Sequence, residues 1–165
     1  MKFVCDKSKL NEAISVVSKA VNNSCAIDIL KGIKIDADDR LKMTGSDLDL
    51  SVESIMDAHV EESGSIIVDA RIFSDIVRKL PDGDITIETD EQNEIKISCA
   101  STKFNILYLS SDGYPEIKKI DDGDSFKIYS SDLKNIIKST IFAISNNESR
   151  PILTGSKFEI NKSTL

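Results

Sequence analysis

Tryptophan is absent from this 165-residue chain, histidine occurs once and proline three times. His59 alone offers no histidine cluster for zinc, and it leaves a Ser-His-Asp triad a single possible base. Cys5, Cys25 and Cys99 are odd in number and form no CxxC pair, so they read as reduced thiols of a cytosolic protein. No apolar run approaches the ~18–20 residues of a membrane span, and the N-terminus carries no signal-peptide pattern. Neither GxxxxGKS/T nor GxGxxG occurs, so no phosphate-cradling loop is visible. Enzyme chemistry has almost no foothold, and no cofactor or metal is expected.

What is present can fill a core: 40% of the residues are hydrophobic, which argues against disorder. The net charge of -7 looks wrong for a nucleic-acid binder, whose footprint is usually basic, but the charges are unevenly spread. The organising stretch is Asp28–Val52. Asp28–Ile35 alternates apolar and polar residues with the period of a strand. Asp36–Arg40 is a polar break with turn chemistry. Leu41, Met43 and then Leu48, Leu50 and Val52 resume the alternation on two more strands, with a Gly45 bend between them. The reading is a three-stranded meander.

Before it, Met1–Cys5 is a strand, and Asp6 or Ser8 caps a helix with the stripe Leu10, Ala13, Ile14, Val17 and Val21. After it, Ile55–Val60 continues or follows the third strand, and Glu61–Gly64 is a solvated turn. Ser65–Val68 begins the pattern again: Asp69 caps a helix with Phe73, Ile76, Val77 and Leu80 on one face. Pro81–Asp84 stops that helix, and strands follow at Ile85–Glu88, Ile95–Ser98 and Lys103–Leu107. Residues 1–107 thus read as strand-helix-three strands, twice.

Ser110–Pro115 and Asp121–Asp124 form a linker rich in turn formers. The first unit then reappears about 120 positions on. Phe126 stands for Phe3, Leu133 for Leu10, Ile137 for Ile14, and Ile152, Leu153, Gly155 and Lys157 for Ile29, Leu30, Gly32 and Lys34. The second copy breaks off at Leu165, so the chain reads as part of a longer repeat protein.

Charge follows the elements. Lys7, Lys9 and Lys19 face one acid, Glu12, in the first helix; Arg71, Arg78 and Lys79 face Asp75 in the second; Lys134 and Lys138 face Asp132 in the third. The acids gather on strands and turns. Basic helices on an acidic sheet protein suit a surface that attracts phosphates. The plainer alternative is that helical lysines merely solvate an outer face. Asp47 and Asp49, two apart, would point the same way on a strand and could hold Mg²⁺, though an exposed polar face explains them better. Asp36–Asp39 lacks the glycine and distal glutamate of an EF-hand loop and reads as a turn.

The opening Met-Lys-Phe, Ile29-Leu30, Thr44-Gly45-Ser46-Asp47-Leu48, Ala70-Arg71-Ile72-Phe73, Arg78–Gly83, Gly113-Tyr114-Pro115 and Arg150–Leu153 stand in one order and spacing. In these the chain resembles the bacterial sliding clamp family, the beta subunit of DNA polymerase III, over its whole length. The resemblance implies an α+β DNA-clamp fold: repeated strand-helix-three-strand units with helices on one face of antiparallel sheets. It implies a first module at 1–121, the start of a second at 122–165, and a third that this chain lacks. It also implies a homodimeric ring around duplex DNA that tethers the polymerase, is placed by a clamp loader, works in the cytoplasm and catalyses nothing.

Family positions carry DNA contact to Arg71 and Asn147, with Arg150 following. Ser24 stands where some relatives have arginine, and Pro151 and Ile152 where some have aromatics. Lys9, Lys19, Arg78, Lys79, Lys134 and Lys138 join this set from charge and helix placement. All are expected to meet phosphate, not base edges. The resemblance also places Ile72, Phe104 and Ile106 at the subunit interface, where the Lys103–Leu107 strand presents an open edge. The alternatives are a sheet-rich protein-interaction module with no DNA role and, more remotely, an Asp47/Asp49 metal hydrolase.

Overall fold

Helix starts are set by carboxylates. Asp6 ends β1 (Lys2–Asp6) and accepts the Lys9 amide at 3.0 Å, opening α1 (Lys7–Val17); Asp69 ends β6 (Gly64–Asp69) and accepts the Ile72 amide at 2.8 Å, opening α2 (Ala70–Lys79). The computed structural model describes residues 1–117, 125–147 and 149–160, and the chain divides into two compact units, Met1–Lys118 and Lys119–Leu165.

In the first unit β2 (Gly32–Ala37), β3 (Leu41–Ser46) and β4 (Ser51–Met56) form the expected meander. A short β5 (His59–Glu62) precedes β6; β7 (Asp84–Thr89), β8 (Glu94–Cys99) and β9 (Thr102–Ser110) follow α2. All pair antiparallel in the order β4-β3-β2-β6-β9-β8-β7-β1-β5. The two halves exchange their opening strands: β1 pairs with β7 of the second half, and β6 with β2 of the first. β9 pairs with β8 through Leu107 and then with β6 through Tyr108–Ser110, so it bridges the halves. β4 and β5 do the same in two pieces, β4 on β3 and β5 on β1. Phe3, Ile33, Ile35, Val68, Ile85, Ile87, Ile95 and Ile97 face Leu10, Ile14 and Val17 of α1 and Phe73 and Val77 of α2 in one core. Both helices therefore lie on one face of an antiparallel sheet.

Several expectations are corrected. Asp28–Lys31 is a 3-10 turn, not strand: Lys31 Nζ reaches Asp28 Oδ1 at 2.8 Å across it, and Leu30 turns inward. Leu48 and Leu50 are not strand residues but sit at the β3–β4 tip, 63% and 49% exposed, with Leu48 at φ 83°. The cause is local, since Asp47 Oδ1 accepts the amides of both Asp49 and Leu50. Gly45 is inside β3, not at a bend. Glu61 and Glu62 extend β5 along β1, helped by the Lys2–Glu61 ion pair at 2.6 Å, and are no free turn.

Tyr114, expected in the linker, is 6% exposed and folds back on the first unit. Its hydroxyl lies 3.2 Å from the Gly32 carbonyl and 3.1 Å from that of Thr44. Burial pushes its pKa up from 10.0 to about 12, against a smaller lowering by a backbone hydrogen bond at Ser46. Burial, then the charges of Asp6 and Asp84, pushes Cys5 from 9.0 to about 12. Both groups are held neutral in the folded state, so their contributions are complete below the unfolded pKa values and are lost as pH rises towards 12. Tyr114→Phe is expected to cost about 1 kcal/mol at neutral pH and to flatten the alkaline loss of stability between pH 10 and 12. Urea midpoints measured against pH check this; an unchanged alkaline slope in the mutant would refute it.

In the second unit α3 (Ser130–Thr140) and 3-10 turns at Ile141–Ala143 and Pro151–Leu153 each start 123 positions after their counterparts at Lys7, Ser18 and Asp28. The repeat read from sequence is therefore a repeat of elements. The strand expected around Phe126 is not formed: Ser125–Tyr129 is irregular and Phe126 is 50% exposed. A strand needs a neighbour for its amides, and residues 125–147 and 149–160 contain none. The expected module boundary at 121/122 and the Asp121–Asp124 linker lie outside the described residues.

Candidate nucleic-acid interface

The outer faces of α1 and α2 carry the candidate cations of the first unit. Lys9, Arg71 and Lys79 are exposed, as is Lys19, which lies in the 3-10 turn Ser18–Ala20 and not in α1 itself. None of the four has an ion pair among the described residues. Four of the strand lysines behave differently. Lys2 pairs with Glu61, Lys34 with Asp36 at 3.2 Å, Lys42 with Asp36 and Glu53, and Lys96 with Asp90 at 3.7 Å. Burial by itself would raise the Asp36 pKa, but hydrogen bonds from Ser65 and Lys34, with the charges of Lys34 and Lys42, outweigh it and lower the pKa, so this network keeps the carboxylate charged. Four sheet lysines are thus neutralised in place, exposed Lys103 of β9 having no ion pair among the described residues, while Lys9, Lys19, Arg71 and Lys79 face outward uncompensated.

Two helix cations depart from that pattern. Arg78 is held by Asp75 one turn earlier on α2, and Lys7 by Asp82 at 3.0 Å. Arg78 is exposed and its partner half-exposed, so the pairing weakens its pull on an anion without cancelling it. Arg71 borders a groove of about 190 Å³ between the end of α1 and the start of α2, shared with Ser18, Val21, Asn23, Ser74 and Asp75. Ser24 is exposed beside it in sequence, its amide donating to Asn22 Oδ1 at 2.9 Å. This neutral turn supplies no charge to the groove.

The second unit holds the other candidates. Lys134 and Lys138 are exposed on α3. Asn147 is exposed, and its Oδ1 accepts the Ser149 amide at 2.9 Å. Arg150 and Pro151 are exposed, and Ile152 is 89% exposed at the 3-10 turn.

The candidate subunit edge is open. Thr102–Leu107 of β9 pairs with β8 on one side and with no strand on the other among the described residues. Phe104 is 37% exposed, Ile106 half-buried opposite Ile95, and Ile72 of α2 is 49% exposed. The Asp47/Asp49 pair does not form a site. Asp47 is spent on backbone amides, and no group of three His, Cys, Asp or Glu side chains among the described residues is arranged to hold a metal.

The split between paired and unpaired cations is what sequence reasoning missed. Local pairs such as Lys34–Asp36 and Asp75–Arg78 could be read from spacing; Lys2–Glu61 and Lys7–Asp82 join residues brought together only by folding.

Residues 1–118 match the family described as DNA polymerase III beta subunit, N-terminal domain. The chain is 40% identical to the beta sliding clamp of Bacillus subtilis and 37% identical to that of Halalkalibacterium halodurans, in each case over all of this chain and 46% of the relative. The crystal structure of the Bacillus subtilis DNA polymerase sliding clamp superimposes with a TM-score of 0.89 at 41% identity, covering 94% of this chain and 43% of that one. The chain spans about half the length of the relatives it matches.

Proposed function

The chain belongs to the DNA polymerase III beta subunit family, and we propose that it serves as a sliding clamp, a processivity factor that encircles duplex DNA and tethers the replicative polymerase. The observation that carries this reading beyond the family is that Lys9, Lys19, Arg71 and Lys79, on and beside α1 and α2, are uncompensated among the described residues, whereas Lys2, Lys34, Lys42 and Lys96 of the sheet are paired. Such a surface attracts phosphate without reading sequence, which a sliding ring requires.

In this reading residues 1–121 form one module and 122–165 begin the next. Arg71, Lys9, Lys19, Arg78, Lys79, Lys134, Lys138, Asn147 and Arg150 meet phosphate, with lesser roles for Ser24, Pro151 and Ile152. Ile72, Phe104 and Ile106 meet a second subunit in a homodimeric ring. Polymerase and clamp loader are its partners in the cytoplasm, and the subunit performs no chemistry of its own.

A ring holds DNA by topology, so this chain by itself is expected to bind duplex weakly. Its net charge of -7 opposes a few cations, and a Kd weaker than ~10⁻⁶ M at physiological salt is expected. Lowering the salt should strengthen binding without sequence preference, and each of Lys19→Glu, Arg71→Glu and Lys79→Glu should reduce the salt slope by about one. Fluorescence anisotropy with unrelated duplexes tests this. A Kd near ~10⁻⁸ M, or a preferred sequence, would defeat the topological reading.

A further inference from the structure

One acid interrupts the cations of α2. Asp75 is the only carboxylate of that helix, and it follows Arg71 by four positions and precedes Arg78 by three. Side chains at those spacings share one stripe of a helix, so Asp75 stands between the two arginines. Its Oδ1 accepts from Arg78 Nη2, whereas Arg71, which borders the same groove as Asp75, makes no ion pair among the described residues. The carboxylate is half-exposed and Arg78 is exposed, so the pair lies open to an approaching anion. We propose that Asp75 is a built-in competitor for phosphate, which holds Arg78 in reserve and keeps the hold of α2 on duplex DNA loose. The proposal rests on the reading that this helix face meets the DNA backbone.

The two acids compete for one cation. An unpaired lysine or arginine that meets a phosphate releases a condensed counterion and gains the whole of that entropy. Arg78 must first leave Asp75, and the carboxylate left behind faces the phosphate with like charge. An exposed ion pair is worth little, so the competition is close and Arg78 passes readily between its two partners. A contact of this kind yields easily, which suits a surface that lets duplex slide past it.

The test is duplex binding by the 165-residue chain, read by fluorescence anisotropy from about 50 mM salt upward. Asp75→Asn still accepts the guanidinium hydrogen bond but carries no charge. It should tighten binding about fivefold and steepen the salt slope by about 0.9. Asp75→Glu, whose carboxylate still reaches Arg78 one turn on, should stay within about twofold of the parent. Arg78→Gln should weaken the parent about twofold but the Asp75→Asn chain about tenfold, because only the latter has a free arginine to lose. Glu91→Gln removes the same charge from the exposed β7–β8 turn and should change nothing. Equal tightening by Glu91→Gln, or by Asp75→Asn with Arg78 already replaced, would reduce the effect to net charge and overturn the proposal. So would no tightening by Asp75→Asn, or as much by Asp75→Glu. Each of these leaves the clamp reading intact while Lys19→Glu still weakens binding; a parent with no salt-dependent hold on duplex would sink both.

Discussion

Gly45→Ala is expected to cost the first unit about 3 kcal/mol, at the upper end of the usual range for inserting a methyl group into packed structure. A Cβ at this position would lie 2.2 Å from the Val17 carbonyl oxygen and 3.1 Å from Val21 Cγ2. The first of these is backbone at the last residue of α1, so no rotamer change relieves it. Either the end of α1 lifts from β3, uncovering Ile14 and Val17 of the core, or the strand is pushed out of its ladder with Val52. For a domain whose whole stability is about 5–15 kcal/mol, this is a large fraction. Urea denaturation followed by circular dichroism measures it, with Gly155→Ala as the control, since nothing lies within 4 Å of that position. A Gly45→Ala midpoint equal to the control's would mean that α1 yields and that the close approach is not a constraint.

The second large effect is a contrast in backbone protection between two helices of matching sequence position. α1 and α3 are both 11 residues long and start 123 positions apart. Leu10 and Ile14, both buried in the core, correspond to Leu133 and Ile137, of which Ile137 is 41% exposed. No residue of α3 is buried. An isolated helix of this length is marginal in water, because nucleation costs more than a few turns return. Amides of α1 should exchange only through opening of the whole unit, with protection of about 10⁴ or more, and those of α3 with protection below about 10². Hydrogen exchange on a dilute solution of the chain reads both at once. Comparable protection in the two helices would show that α3 has a covered face in solution, and the argument from exposure would fail.

Much of the architecture was legible in the sequence because its determinants are local. Asp6 and Asp69 cap helices through amides three positions away, and the buried stripe on α1 follows the helical period. The meander, the second strand-helix-three-strand half and the repeat 123 positions on depend likewise on short windows and on their recurrence. The charge bias of the helices was visible for the same reason, since Lys7, Lys9 and Lys19, or Arg71, Arg78 and Lys79, fall within a few turns of one another.

Only the tertiary structure decided what depends on residues far apart in the chain. The exchange of β1 and β6 between the halves cannot be read from alternation, because any apolar-polar strand could add to either meander. Which cations stay uncompensated was equally hidden: Lys7 finds Asp82 and Lys2 finds Glu61, whereas Arg71 and Lys19 meet no carboxylate among the described residues. Gly45 looked like a bend and is instead a point of contact with α1. Tyr114 looked like linker and is an anchor, and Met1 reaches across the unit to Thr89. Caps and periodicity act over one or two turns of chain, while close approach, ion pairing and burial are properties of the packed surfaces that folding brings together.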